Sequence, residues 1–193
     1  MPDIATRSSR NPEFARVLRV GALRRAGPFA FDVVAEPAEA EAVARLLGAE
    51  AVRKLRLRGA LAPEGADGWR LDATLGATVT QSCVVSLEPV VTRIDAPVVR
   101  RYAPDATQAS EFDPDAADED EIDPLEAEID LGLVAIEALA LALPAYPRRP
   151  DARLEPAAIA PPGAAPLAEA EVRPFAALAA LRAKPRENPG EDA

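Results

Sequence analysis

A chain of 193 residues that is 49% hydrophobic but only 4% aromatic can form one domain with an aliphatic core, and not two once its polar and proline-rich stretches are set aside. It has no histidine, which removes the usual general base, the commonest metal ligand and the Ser-His and Cys-His nucleophile pairs together. Its net charge of −10 is concentrated: residues 111–130 carry eleven acidic side chains and no basic ones, and the remainder is near neutral with a mildly basic front.

The N-terminal stretch to Phe14 is polar, and no segment approaches the roughly 18 to 20 apolar residues that span a bilayer. A single cysteine, Cys83, excludes an intramolecular disulfide and a multi-cysteine zinc site. A soluble cytoplasmic protein without a cofactor is the expectation. Phe14 to Val20 fits a strand, and Pro28 to Ala35 alternates Phe29, Phe31 and Val33 against Ala30, Asp32 and Val34, the period of a half-buried strand. Glu36-Pro37 then opens an alanine-rich run with Ala40, Val43, Leu46 and Leu47 at helical spacing, closed by Gly48. A strand from about Val52 places Leu55, Leu57 and Leu61 on one face and Lys54, Arg56 and Arg58 on the other.

The clearest pattern starts at Trp69. Odd positions read Trp69, Leu71, Ala73, Leu75, Ala77, Val79, Gln81 and Cys83, and even positions are polar or small, which predicts one long strand with a bend at Gly76. Val90 to Tyr102 reads as a further strand, or as two interrupted at Pro97. Residues 104–128 are acidic and lack periodicity, the pattern of a long solvated, disordered loop. Asp130 is a good N-cap for the apolar helix Leu131 to Leu143, whose one charge is Glu137. The prolines from Pro144 onward describe an extended linker over 151–173, followed by a short helical motif over 174–184 and a disordered tail over 185–193.

These elements predict an α+β domain over residues 10–150: a mostly antiparallel, curved or barrel-like sheet with two or three packed helices. An enzyme is not expected, because the carboxylates that would serve as acid and base cluster in the flexible segment, where catalytic positioning fails. Asp113, Asp115, Asp118 and Asp120 lack the central glycine and register of a calcium loop. With Glu119 and Glu121 they form either a solvated loop or a docking segment for a basic partner. Lys54, Arg56 and Arg58, with Arg100 and Arg101 on an adjoining strand, form a candidate RNA-phosphate face; the plainer reading is that exposed strands carry charge to discourage edge pairing. Glu137 reads as a carboxylate satisfied by an arginine or placed at the helix rim. Cys83, on the inward face of its strand, reads as a small, unreactive core residue.

The segment Thr80 to Pro89, TQSCVVSLEP, with its Cys83, Leu87, Glu88 and Pro89, precedes an acidic stretch, then Ile129-Asp130-Leu131-Gly132, Glu137 and an Ala-Leu-rich helix ending at Pro144. This order and spacing resemble the YceD family of bacterial large ribosomal RNA subunit accumulation proteins, from about Phe14 to Pro150, and Pro174-Phe175 with Leu178 and Leu181 resembles the family's short closing motif. The resemblance implies a non-enzymatic, binding role in the accumulation, processing or assembly of large-subunit (23S) ribosomal RNA, with that RNA or a pre-ribosomal particle as partner. The family's habit of being encoded beside a small basic ribosomal protein leaves an alternative, an adaptor or chaperone for such a protein without RNA contact. Many members read Cys-x-x-Cys where this chain has Cys83 and Ser86, so the resemblance gives no support for metal or thiol chemistry at that motif.

Overall fold

A computed structural model describes residues 4–6, 11–23, 25–104 and 122–153. The described residues up to Ala152 belong to one compact unit. The expected linker, C-terminal helix and tail, and most of the acidic loop, lie outside the described residues.

The elements are β1 (Ile4–Ala5), β2 (Val17–Arg19), a 3-10 turn (Val20–Ala22), β3 (Phe29–Val34), α1 (Pro37–Leu46), β4 (Ala51–Glu64), β5 (Gly68–Ser82), β6 (Pro89–Ala103), β7 (Ile122–Pro124), β8 (Glu128–Asp130) and α2 (Leu131–Ala142). Five strands form one sheet in the order β3-β4-β5-β6-β7 and three form another in the order β1-β2-β8. All described pairings are antiparallel except β6 with β7, which is parallel. The class is α+β, with two α-helices among the described residues. Neither sheet closes into a barrel.

Period-two patterning decides which side of the large sheet is wet. Phe31, Val33, Leu55, Leu57, Leu61, Trp69, Leu71, Leu75 and Val79 are all buried, and Trp69 retains only 2% of its surface. Pairs such as Val33 with Leu57 and Leu57 with Leu75 continue this apolar face across β3, β4 and β5. Both helices contribute to the same core: Val43 from α1, and Leu131, Ala135 and Leu139 from α2. Burying a leucine fully contributes about 1.5–3 kcal/mol, so α2 is held by packing rather than by propensity.

The ends of α1 follow from local chemistry. Glu36 and Glu39 form a reciprocal capping box, Pro37 occupies the first turn, and Gly48 takes the left-handed conformation that closes the helix (φ 64°). Arg16 ties the N-terminal segment to this helix, donating to both Glu39 oxygens at 2.7 and 2.8 Å.

Of the two readings left open for Val90 to Tyr102 the single strand holds, and the expectation of a continuous acidic loop is corrected. β6 is a single fifteen-residue strand that passes through Pro97 without a break. Up to Arg100 its described partner is β5 alone, so a proline lacking an N–H toward the far side costs no ladder bond. The stretch 104–128 is not loop throughout: Ile122–Pro124 forms β7 beside Arg101–Ala103, and Glu128 opens β8 against β2. Neither strand has enough residues for a periodic signal. Backbone pairing, invisible in composition, orders them.

Candidate functional site

The outer face of the large sheet is its distinctive surface. Register places Asp32 beside Arg58, Thr74 and Pro97, and Val34 beside Arg56, Gly76 and Asp95. Around Gly76 lies an open groove of about 630 Å³, floored by Thr74, Gly76 and Thr78 and walled by Lys54, Arg56 and Arg58 on β4 and Arg93 and Asp95 on β6. β5 runs through Gly76 without interruption. Its service is spatial, since a Cβ there would lie 2.7 Å from an Arg93 guanidinium nitrogen.

The bulge between Arg53 and Arg56 adds a cation to this face. Strict alternation would bury either Arg53 or Lys54, but the extra residue leaves both exposed before Leu55 returns to the core. Lys54 adopts a left-handed backbone (φ 52°) that costs an L-residue roughly 1–2 kcal/mol, a strain that re-aims its side chain to the groove rim. Arg56 is engaged by Asp32 and Arg93 by Asp95, the latter with one nitrogen at 2.8 Å. Hydrogen bonding to Arg56 holds the Asp32 carboxyl below the ordinary carboxylate range, and Arg93 does the same for Asp95. Lys54 and Arg58 make no hydrogen bond or ion pair among the described residues, so their charges are available to a ligand.

Of the five basic residues expected on an RNA face, Lys54, Arg56 and Arg58 stand together here. Arg100 does not, because successive strand residues face opposite ways and Arg100 shares its face with buried Val98 and Tyr102. It donates to Asp123 at 3.2 Å and to Glu137 at 3.0 Å. Glu137 is thus satisfied by an arginine. Arg101 has the outward parity but is held by Glu64 at 3.0 Å. Arg93, overlooked in the sequence, shares that parity, and only strand register shows it opposite Thr78.

The motif residues are chiefly structural. Asp130 caps α2, accepting from the backbone N–H groups of Gly132 and Leu133, and also accepts from Arg16 N–H and the Asn11 side chain. Leu131 is fully buried, and Gly132 lets α2 meet the backbone of Phe14. Glu88 pairs with Arg149 at 2.8 Å, while Leu87 is 77% exposed with a left-handed backbone (φ 60°). Pro89 begins β6 opposite Ser82. Asp113, Asp115, Asp118, Glu119, Asp120 and Glu121 lie outside the described residues.

Cys83 differs from expectation in its setting. β5 ends at Ser82, so Cys83 opens the turn to β6, and its fully buried sulfur accepts from the N–H groups of Val85 and Ser86 at 3.4 and 3.5 Å. The Ser86 hydroxyl foremost, then the Arg149 and Ser86 amides, lower the thiol to about 6, outweighing the opposing effect of burial. The ultraviolet absorbance of the native thiolate should therefore titrate near pH 6, against 9.0 for an ordinary cysteine. Because the folded value is the lower one, the stabilisation is complete above the unfolded value and lost as pH falls through about 6. Wild type and Cys83→Ala should accordingly diverge in stability as pH rises from 6 to 9; parallel curves over that window would refute a native thiolate. Alkylation should remain slow, since the sulfur is enclosed.

Among the described residues no helix is long and apolar enough to cross a membrane, and no three His, Cys, Asp or Glu side chains gather as metal ligands would. No curated protein and no solved structure matches the chain. A family model described as large ribosomal RNA subunit accumulation protein YceD matches residues 71–182, over half of the chain. That span holds one wall and the floor of the basic groove, the Cys83 turn, the Asp130 cap and all of α2. The chain belongs to the YceD family of large ribosomal RNA subunit accumulation proteins.

Proposed function

We propose that the chain supports large-subunit ribosomal RNA accumulation by binding RNA phosphates on the outer face of its large sheet, without catalysis. The groove lined by Lys54, Arg56, Arg58 and Arg93 carries this reading. Neighbouring outward residues on a strand stand about 6.6–6.8 Å apart, so Arg56 and Arg58 present charges at a spacing comparable to successive phosphates. The Thr74 and Thr78 hydroxyls add neutral donors on the floor. Phe31, Trp69 and Tyr102 face the core, so the surface lacks these rings as a stacking platform and favours the backbone over base identity.

The test is binding of an RNA oligonucleotide across a salt series. Replacing Lys54, Arg58 and Arg93 together by glutamine should flatten the salt dependence by up to roughly 0.7–0.9 log units per lost phosphate contact, and weaken binding about a hundredfold near 0.1 M salt. Deleting residues 111–121 takes the net charge from −10 to −3 and should tighten binding by reducing repulsion. Unchanged affinity and slope in the triple variant would place RNA elsewhere or exclude direct contact, leaving the adaptor role.

A further inference from the structure

Across the large sheet from the basic groove, an open cleft of about 720 Å³ lies among the three-stranded sheet, the segment from Asp123 to Asp130 and α2. Its lining has five carboxylates, Asp123, Glu126, Glu128, Asp130 and Glu137, against two guanidiniums, Arg19 and Arg100, a net charge of −3. Arg100 gives one nitrogen to Asp123 Oδ2 and one to Glu137 Oε2, so the second oxygen of each carboxylate receives no donor among the described residues. Tyr102 stands in the same wall with only 8% of its surface exposed, and its hydroxyl has no hydrogen-bond partner among the described residues. The ring is enclosed, while the hydroxyl opens onto the cleft, where solvent or a ligand can reach it. Its ionisation is shifted upward by burial first, and then by the adjacent Asp123 and Glu137 carboxylates, so it stays a neutral hydroxyl that can accept or donate.

The remaining wall is apolar, with Val17, Pro124, Leu133 and Val134. An aliphatic flank leading to unfilled acceptors matches a lysine or arginine, whose stem packs on apolar surface while its head seeks carboxylates. We infer that this cleft receives a lysine or arginine side chain from an extended basic segment of a partner protein. The open mouth admits a main chain, and the negative lining disfavours RNA. This surface lies on the opposite sheet face from the groove assigned to RNA, so each can fail alone.

The test uses the full chain and a fluorescent arginine–glycine peptide, with its glutamine–glycine analogue as control, read by polarisation. Tyr102→Phe changes no charge and removes no internal hydrogen bond, yet should weaken the arginine peptide roughly tenfold. Glu137→Gln should weaken it as well, and the triple variant of the basic groove should bind it as wild type does. Equal binding of the glutamine analogue would overturn the inference. So would wild-type affinity in Tyr102→Phe with binding lost on deletion of 111–121, which would assign capture to the acidic stretch, or displacement of the peptide by an RNA oligonucleotide.

Discussion

Gly132→Ala should destabilise the protein by about 3–5 kcal/mol or prevent folding. Two forces oppose one another at this position. Gly132 is the second residue of α2, and alanine is favoured over glycine in a helix by up to roughly 1 kcal/mol, so propensity alone predicts a gain. Sterics predict the reverse, because a Cβ on Gly132 would lie 1.6 Å from the Phe14 carbonyl oxygen, 2.8 Å from its carbon and 3.2 Å from the Arg16 nitrogen. These are backbone atoms and cannot turn aside as a side-chain tip would. To relieve the clash, α2 must leave the segment that Asn11, Arg16 and Asp130 hold to it, opening the core at Phe14 and Leu131. The sign therefore follows packing. Gly27→Ala, with nothing within 4 Å of the new methyl, is the control and should be neutral or slightly stabilising. Urea unfolding of both variants decides the matter, and a Gly132→Ala midpoint matching wild type would refute this account of the contact.

Asp130→Ala should cost about 3–4 kcal/mol, since one carboxylate organises two segments distant in sequence. Oδ1 accepts from Arg16 N at 2.8 Å, Gly132 N at 3.0 Å and Leu133 N at 3.3 Å, while Oδ2 accepts from Asn11 Nδ2 at 3.2 Å. The helix cap alone is worth roughly 1 kcal/mol. The rest comes from leaving enclosed donors unmet, for Asn11 is only 2% exposed and Arg16 N lies in a partly buried turn. Asp130→Asn retains an acceptor for the backbone donors but sets an amide against the Asn11 amide, so its loss should be about half as large. In a unit of this size 3 kcal/mol corresponds to a fall in Tm of roughly 6–12 °C. A fall of no more than about 3 °C for Asp130→Ala, the size of a cap lost alone, would mean that water satisfies those donors and that the N-terminal segment is not held by this side chain.

Both positions belong to the Asp130-Leu131-Gly132 motif, and their roles explain why the motif is compact. A strand end, a cap and a glycine must be consecutive for α2 to begin while touching the N-terminal segment. Each part was recognisable beforehand only to a degree. Asp130 as a cap and Leu131 as an apolar first turn follow from local rules, whereas nothing local to Gly132 shows which backbone it would meet.

The candidate site divides in the same way. Lys54, Arg56 and Arg58 share a surface because they precede and alternate with Leu55, Leu57 and Leu61, and burial of those leucines forces the cations outward. Arg100 and Arg101, adjacent on one strand, had to face apart, and the apolar parity of Val98 and Tyr102 already indicated which of them turns inward. Its ion pairs with Asp123 and Glu137 arise from packing. The lowered thiol of Cys83 depends on a turn brought against Arg149, sixty-six residues later in the chain.

What the sequence determined by itself was the set of long strands and their buried faces, the ends of both helices and the apolar character of α2. Period, proline, glycine and capping residues act within a few positions, and a reader of the chain sees them as the folding chain does. Tertiary structure alone decided the pairing of β7 and β8 out of an acidic stretch, the open rather than closed sheet, the arrival of Arg93 opposite Thr78 in the groove that Lys54 also lines, and the acidic cleft around Tyr102. Those features depend on register and on contacts between residues far apart in sequence, whose energies come from particular partners rather than from the composition of either segment.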